Sequence, residues 1–82
     1  MENQNFITAM KDEYTEARLA FKPFSSAHEG YAVLLEELDE LWECVKKNKG
    51  YRIENELGEK ARKECIQVAA MAMAFAMECC NE

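Results

Sequence analysis

The spacing of apolar residues along the chain predicts three α-helices, and strand signals are almost absent. In the first segment, apolar side chains recur every three or four residues, which is the period of one helix face. These residues are Phe6, Ile7, Met10, Tyr14, Ala17 and Phe21. We expect this helix to run from about Asn3 to Phe21, because Pro23 disfavours helical backbone at the preceding residue.

The second predicted helix opens with a capping box. In the stretch "SAHE", Ser26 stands at the N-cap position and Glu29 follows three residues later. A broad apolar stripe then follows the helical period. It consists of Tyr31, Leu34, Leu38, Leu41 and Val45, widened by Leu35 and Trp42. Asn48 and Gly50 are stop signals, so we expect a helix from Ser26 to about Asn48 with its stripe packed in the core.

The third predicted helix, from about Asn55 to Cys80, contains a stretch that is apolar nearly all the way round, "CIQVAAMAMAFAM". A helix that is hydrophobic on every face is normally buried on every face. Three helices in one small chain cannot surround it, so we expect another chain to cover the rest. Small residues share one side of this helix, namely Ala61, Cys65, Ala69, Ala72 and Ala76. The alternative is an exposed alanine-rich face on a monomer.

The predicted fold class is all-α. Two long helices joined by a short loop form an antiparallel hairpin, and the N-terminal helix packs beside it. We expect one domain over residues 1–82, assembling into an oligomeric helical bundle that is a homodimer or a homotetramer. Domains of this size bury only about 60% of their unfolded surface, so oligomerisation is a common source of stability.

Composition excludes several classes of function. Ten basic residues against sixteen acidic ones give a net charge of −6, which argues against a nucleic-acid partner. The longest stretch without charge, residues 65–77, is shorter than the roughly 20 residues that cross a bilayer. The four cysteines form no CxxC pair and there is one histidine, which argues against zinc. The polar N-terminus lacks a signal peptide, so we expect a cytoplasmic protein.

The second helix contains a run of acidic residues, the stretch "EELDE" from Glu36 to Glu40. Glu37 and Glu40 project side by side near the edge of the core, and Glu36 lies further toward solvent. Glu64, on the third helix, approaches their level in an antiparallel hairpin. Oxygen ligands from two helices suit Mg²⁺. The alternative is a solvated acidic face, which is common on helices.

These residues resemble a known family. "EELDE" fits the EExxE motif of the MazG-like nucleotide pyrophosphohydrolases, which belong to the all-α NTP pyrophosphatase superfamily. "HEGYAVLLEELDELWECVKK" followed by "ARKECIQVAAMAMAFAMEC" resembles the small stand-alone members, and the resemblance covers about Phe24 to Cys80. It implies a helical dimer or tetramer that binds Mg²⁺, with Mn²⁺ as an alternative ion. It also implies hydrolysis of nucleoside triphosphates, ribo or deoxy, to the monophosphate and pyrophosphate.

The resemblance also implies roles for individual residues. Glu37 and Glu40 match the metal ligands of an ExxE motif, and Glu64 matches the first residue of an ExxD motif. Gln67 stands where the family has aspartate; its carbonyl can still bind Mg²⁺ but carries no charge. Glu36 matches the leading acid of the motif, and we expect it to act as the catalytic base.

Residues outside the motif are candidates for binding the substrate. Trp42 could stack on a nucleobase, although its place in the wide apolar stripe also fits the core. Lys46, Lys60, Arg62 and Lys63 could steer a triphosphate, although a solvated surface position explains each of them too. The chain has no room for the fourth helix of larger family members, so we expect a neighbouring subunit to complete the pocket.

Two other functions stay open at this point. The chain could be a catalytically silent helical module with a dimerising or regulatory role, which the uncharged Gln67 and the short length favour. It could also be a Mg²⁺-dependent hydrolase that acts on a phosphate other than a nucleotide, and the sequence does not separate this activity from the first.

Overall fold

The computed structural model of the chain describes residues 3–80, which form three α-helices and no strand. The helices are α1, Asn3–Ala20; α2, Ala27–Lys47; and α3, Asn55–Cys79. Each helix boundary lies within one residue of its predicted position. The all-α class is therefore confirmed. No helix in the described range has both the length and the apolar character needed to span a membrane.

The capping box at the start of α2 is present. The Glu29 backbone N–H donates to the Ser26 hydroxyl at 3.0 Å. The Glu29 carboxylate accepts from the Ser25 backbone N–H at 2.5 Å, one residue earlier than the usual box. This hydrogen bond stabilises the ionised carboxyl and lowers the pKa of Glu29. At the other end of the helix, the Asn48 N–H donates to the Val45 carbonyl and closes the last turn.

Helix α3 is the central element, and the other two helices pack on it. Helices α2 and α3 form the predicted antiparallel hairpin: the Ser26 carbonyl, just before α2, lies 3.9 Å from Cys79 Sγ at the end of α3. Helix α1 runs in the same direction as α3, because the Arg62 guanidinium lies 5.6 Å from the Phe6 ring centroid near the start of both helices. In the described chain, no Cα of α1 comes within 8 Å of a Cα of α2. An open cleft therefore separates α1 from α2.

A network around Glu78 joins the far ends of α1 and α3. Its carboxylate forms an ion pair with Arg18, and both side chains are largely buried. The second carboxylate oxygen accepts from the Phe24 backbone N–H at 3.0 Å. The Arg18 guanidinium also lies over the rings of Phe24 and Tyr14, at 5.5 and 5.8 Å from their centroids. This network fixes the end of α1, the connection to α2 and the end of α3 together.

The core of a single chain is thin. The buried apolar side chains of the described residues are Cys44, Ala61, Ala70, Met71 and Ala74. Within the α2 stripe, Leu34 and Leu41 are half-buried toward α3. The other members of the stripe are exposed by 40–60%: Tyr31, Leu35, Leu38, Trp42 and Val45. The expectation that the whole stripe packs in the core is wrong for one chain, because α3 covers only one side of α2 and no described residue covers the next side.

The all-round apolar segment of α3 is also only partly covered. Ala70, Met71 and Ala74 are buried, whereas Ala72 and Ala76 are exposed. Helical periodicity places these exposed alanines on the same side of the hairpin as the exposed part of the α2 stripe, opposite α1. We call this surface the back face. It comprises Tyr31, Leu35, Leu38, Trp42 and Val45 of α2 together with Ala72 and Ala76 of α3.

We predict that replacing Gly30 by alanine destabilises the protein, because the two hairpin helices approach closely there. A Cβ at Gly30 would lie 2.8 Å from a ring carbon of Phe75 and 2.9 Å from one of Phe24. Overpacking of this kind costs about 1–3 kcal/mol, against a gain of up to about 1 kcal/mol in helix propensity. Urea unfolding followed by circular dichroism measures the change. Gly50→Ala is the control, since its nearest atom would be Arg52 O at 3.8 Å. An unchanged or higher stability for Gly30→Ala would contradict the close approach.

Candidate metal centre

Three carboxylates from two helices meet at the middle of the hairpin. Glu37 and Glu40 lie three residues apart on α2 and project from one side of it. The antiparallel course of α3 brings Glu64 to the same level. One oxygen from each side chain lies within 4.8 Å of the other two. The structure thus brings together three of the four residues that the sequence suggests as metal ligands.

Two of these side chains carry a buried oxygen without a hydrogen-bond partner. Glu37 and Glu64 are half-buried, and each has one carboxylate oxygen that is shielded from solvent and accepts no hydrogen bond. Glu40 is exposed and closes the cluster on the solvent side. Buried polar atoms are normally hydrogen-bonded, and a cation is one of the partners that satisfies a buried carboxylate. The arrangement therefore provides three hard oxygen ligands, the type that Mg²⁺ binds.

Burial and mutual repulsion shift the protonation of the cluster. Burial raises the pKa of Glu37, and the negative charges of Glu40 and Glu64 raise it further. Burial raises the pKa of Glu64, and the neighbouring Glu40 carboxylate raises it further, while the positive charges of Lys60 and Lys63 lower it. The ionised cluster is therefore unfavourable unless a positive charge offsets it.

Several other predicted site residues lie next to the cluster. Gln67 is half-buried and follows Glu64 by three residues, which places it on the neighbouring strip of α3. Glu36 is exposed and lines the cleft between α1 and α2 beside Glu37. Lys60 and Lys63 are exposed one turn or less before Glu64, close enough to influence its pKa.

Two predicted substrate-binding residues lie elsewhere. The Lys46 ammonium is 3.0 Å from the Glu43 carboxylate, in an exposed pair on α2. Trp42 is 53% exposed on the back face. It points about 140° around the helix from Glu37, since successive residues turn by about 100°. The structure therefore does not bring Trp42 to the three carboxylates of its own chain.

The sequence did not predict the cleft between α1 and α2, which has a volume of about 430 Å³. Glu13 and Ala17 of α1 and Phe21, directly after that helix, contribute to its lining, and Met71 of α3 lies in it as well. The negative charge of Glu13 adds to the raised pKa of Glu37 across the cleft. The spacing of Glu13, Ala17 and Phe21 at every fourth residue does indicate that these lining residues share one side of a helix. Only the packing of α1 on α3, however, shows that this side of α1 faces α2.

We predict that Glu37→Gln stabilises the metal-free protein at neutral pH. Because the pKa of Glu37 is raised in the folded state, the folded state loses stability as pH rises from the unfolded pKa through the folded one. The penalty is absent when both states are protonated. We would measure the midpoint of thermal unfolding in chelator from about pH 4 to about pH 7. The midpoint of the variant should exceed that of the native protein only toward pH 7. Added Mg²⁺ should stabilise the native sequence more than the variant.

Asp39→Asn is the matched control, because it removes one charge from an exposed position of α2 outside the cluster. An equal gain in both variants would show that general acidity, and not the cluster, causes the effect.

Comparisons of this chain with protein-family models, with curated proteins and with solved structures found no match.

Proposed function

We propose that the chain is a Mg²⁺-dependent nucleoside triphosphate pyrophosphohydrolase of the MazG-like type. The observation that carries this proposal is the meeting of Glu37, Glu40 and Glu64 within 4.8 Å, beside a cleft large enough for a ligand. The unpartnered buried oxygens of Glu37 and Glu64 support a cation at this point. The family resemblance assigns the same three residues to the metal, Glu37 and Glu40 through the ExxE motif and Glu64 through the ExxD motif.

The reaction is a hydrolysis of the bond between the α- and β-phosphates. Bound by the three glutamates, Mg²⁺ would neutralise phosphate charge and lower the pKa of a coordinated water. Glu36 lines the cleft next to Glu37 with an exposed carboxylate, where it can accept the proton of the attacking water. The water oxygen joins the α-phosphorus, and pyrophosphate leaves with the electrons of the broken P–O bond.

The basic residues at the start of α3 are the best candidates for holding the phosphate tail. Lys60 and Lys63 lie close enough to Glu64 to oppose its raised pKa, so they also lie close to a phosphate bound at the cluster. Gln67, one turn further along the helix, offers an uncharged oxygen as a fourth ligand. The cytoplasm is the compartment that fits the four free cysteines.

We further propose that two copies associate through their back faces. Five apolar side chains spaced by three or four residues run along α2 in the manner of a helix–helix seam. The exposed alanines Ala72 and Ala76 allow a second helix to approach α3 closely. Two hairpins packed in this way form a four-helix bundle. The cleft lies on the opposite side of the hairpin and stays open.

A catalytically silent dimerisation or regulatory module is the second candidate. The observation in its favour is Gln67, because the loss of the fourth carboxylate weakens a metal site. In that case the back face would be the functional surface, and the acidic cluster would be a solvated feature that lowers stability.

We predict Mg²⁺-dependent release of pyrophosphate from a panel of ribo- and deoxynucleoside triphosphates, abolished by chelator. Glu40→Gln should reduce the rate by at least about 100-fold, because it removes a metal ligand. Asp39→Asn, an exposed position two residues from Glu37, should keep the activity. No release from any nucleotide, at concentrations that maintain the oligomer, together with a stability gain in Glu40→Gln, would favour the silent module.

We predict that Leu38→Glu converts the oligomer to single chains, because Leu38 lies in the middle of the back face and is 48% exposed in one chain. Burying a charge at an apolar interface is strongly unfavourable. Sedimentation equilibrium measures the mass. Leu19→Glu is the matched control, since Leu19 is 84% exposed on α1, outside the back face. A native protein that sediments as a single chain would exclude this mode of assembly.

A further inference from the structure

The cleft between α1 and α2 has two chemically different ends. Glu13 and Glu37 lie at one end, and Glu37 is also a member of the acidic cluster with Glu40 and Glu64. Phe21 and Phe24 lie at the other end, near the ion pair of Arg18 with Glu78. Apolar side chains of Ala17, Val33 and Met71 line the space between them. The volume of about 430 Å³ is within the range of small-molecule sites.

We propose that this cleft holds the nucleoside portion of the substrate, with the base against Phe21 and the phosphate tail directed away from the cleft toward Lys60 and Lys63. The proposal rests on the proposed function, because it places the α-phosphate at the cluster of Glu37, Glu40 and Glu64. It adds the orientation of the substrate and a binding surface supplied by α1.

Charge complementarity sets this orientation. Four carboxylates line the cleft, namely those of Glu13, Glu29, Glu36 and Glu37. Of the two basic residues in the lining, Arg18 is paired with Glu78 and Lys22 is exposed after α1, so the four carboxylates keep the lining negative. A chain of three phosphates is therefore repelled from the cleft and attracted toward Lys60 and Lys63, which are exposed and precede Glu64 on α3, away from Met71. An uncharged sugar and base meet no such repulsion.

Distances along α3 agree with this placement. Lys60 and Lys63 precede Glu64 on the helix, and Met71 in the cleft follows it by seven residues. At a rise of 1.5 Å per residue, Met71 lies about 10 Å beyond Glu64 along the axis. This span suits a sugar and its base extending from an α-phosphate at the cluster. The rim residue Phe21 is 71% exposed, so its ring face is available for stacking.

The test compares two triphosphate ligands, one with a nucleoside and one without. Titration calorimetry with Mg²⁺ gives dissociation constants for inorganic tripolyphosphate and for a nucleoside triphosphate analogue in which a methylene group replaces the α,β-bridging oxygen, so that no pyrophosphate is released during the titration. Loss of one aromatic stacking partner weakens binding of a base by about 5- to 100-fold. Phe21→Ala should therefore weaken the nucleotide to this extent and leave tripolyphosphate unchanged. Leu19→Ala, an exposed apolar control at the same end of α1, should leave both unchanged. A Lys60→Ala/Lys63→Ala double variant should weaken both ligands.

The outcomes separate this inference from the hydrolase proposal. Pyrophosphate release by the native protein with unchanged nucleotide binding in Phe21→Ala would overturn the orientation and keep the activity. Nucleotide binding that is weakened by Phe21→Ala while tripolyphosphate binding is unchanged, without release of pyrophosphate by the native protein, would support the cleft and reject the hydrolase. A native protein that binds neither ligand would reject both. Amide chemical-shift changes on nucleotide addition give a second measurement: they should include Ala17, Val33 and Met71, and their absence there would contradict the cleft.

Discussion

Helices α1 and α2 both pack on α3 and do not contact each other. The ion pair of Arg18 with Glu78, together with the hydrogen bond from Phe24 N–H to the same carboxylate, holds the end of α1 against α3. The close approach at Gly30 holds the start of α2 against it. With α1 and α2 on separate sides of α3, the chain acquires a cleft on one side and an uncovered apolar surface on the other. The candidate site and the candidate interface both follow from this one packing constraint.

The acidic cluster makes sense within this arrangement. Three carboxylates within 4.8 Å raise one another's energy, and two of them are partly removed from water. Because so few apolar side chains are buried, we expect a small free energy of unfolding, which such repulsion would reduce further. A bound cation would remove the repulsion and tie α2 to α3 at mid-length. The same residues would then serve both the chemistry and the stability of the hairpin.

Local features of the sequence predict the helices and the acidic cluster well. Periodicity, the Ser26 cap and the stop at Asn48 determine the helix ends through interactions within a few residues. The spacing of Glu37 and Glu40, with an antiparallel partner, brings Glu64 to their level. The sequence does not show which half of the wide α2 stripe faces α3, because both halves are equally apolar. It also does not show the cleft, because the direction of α1 depends on contacts between residues sixty positions apart, such as Arg18 with Glu78.

The position of Trp42 has an optical consequence. It is the single tryptophan of the chain, it is 53% exposed, and it lies on the back face away from the cleft. Indole emission shifts to shorter wavelength when water is excluded from the ring. The native fluorescence of this protein therefore reports whether the back face is covered by another chain, and a ligand in the cleft of the same chain would leave that emission unchanged.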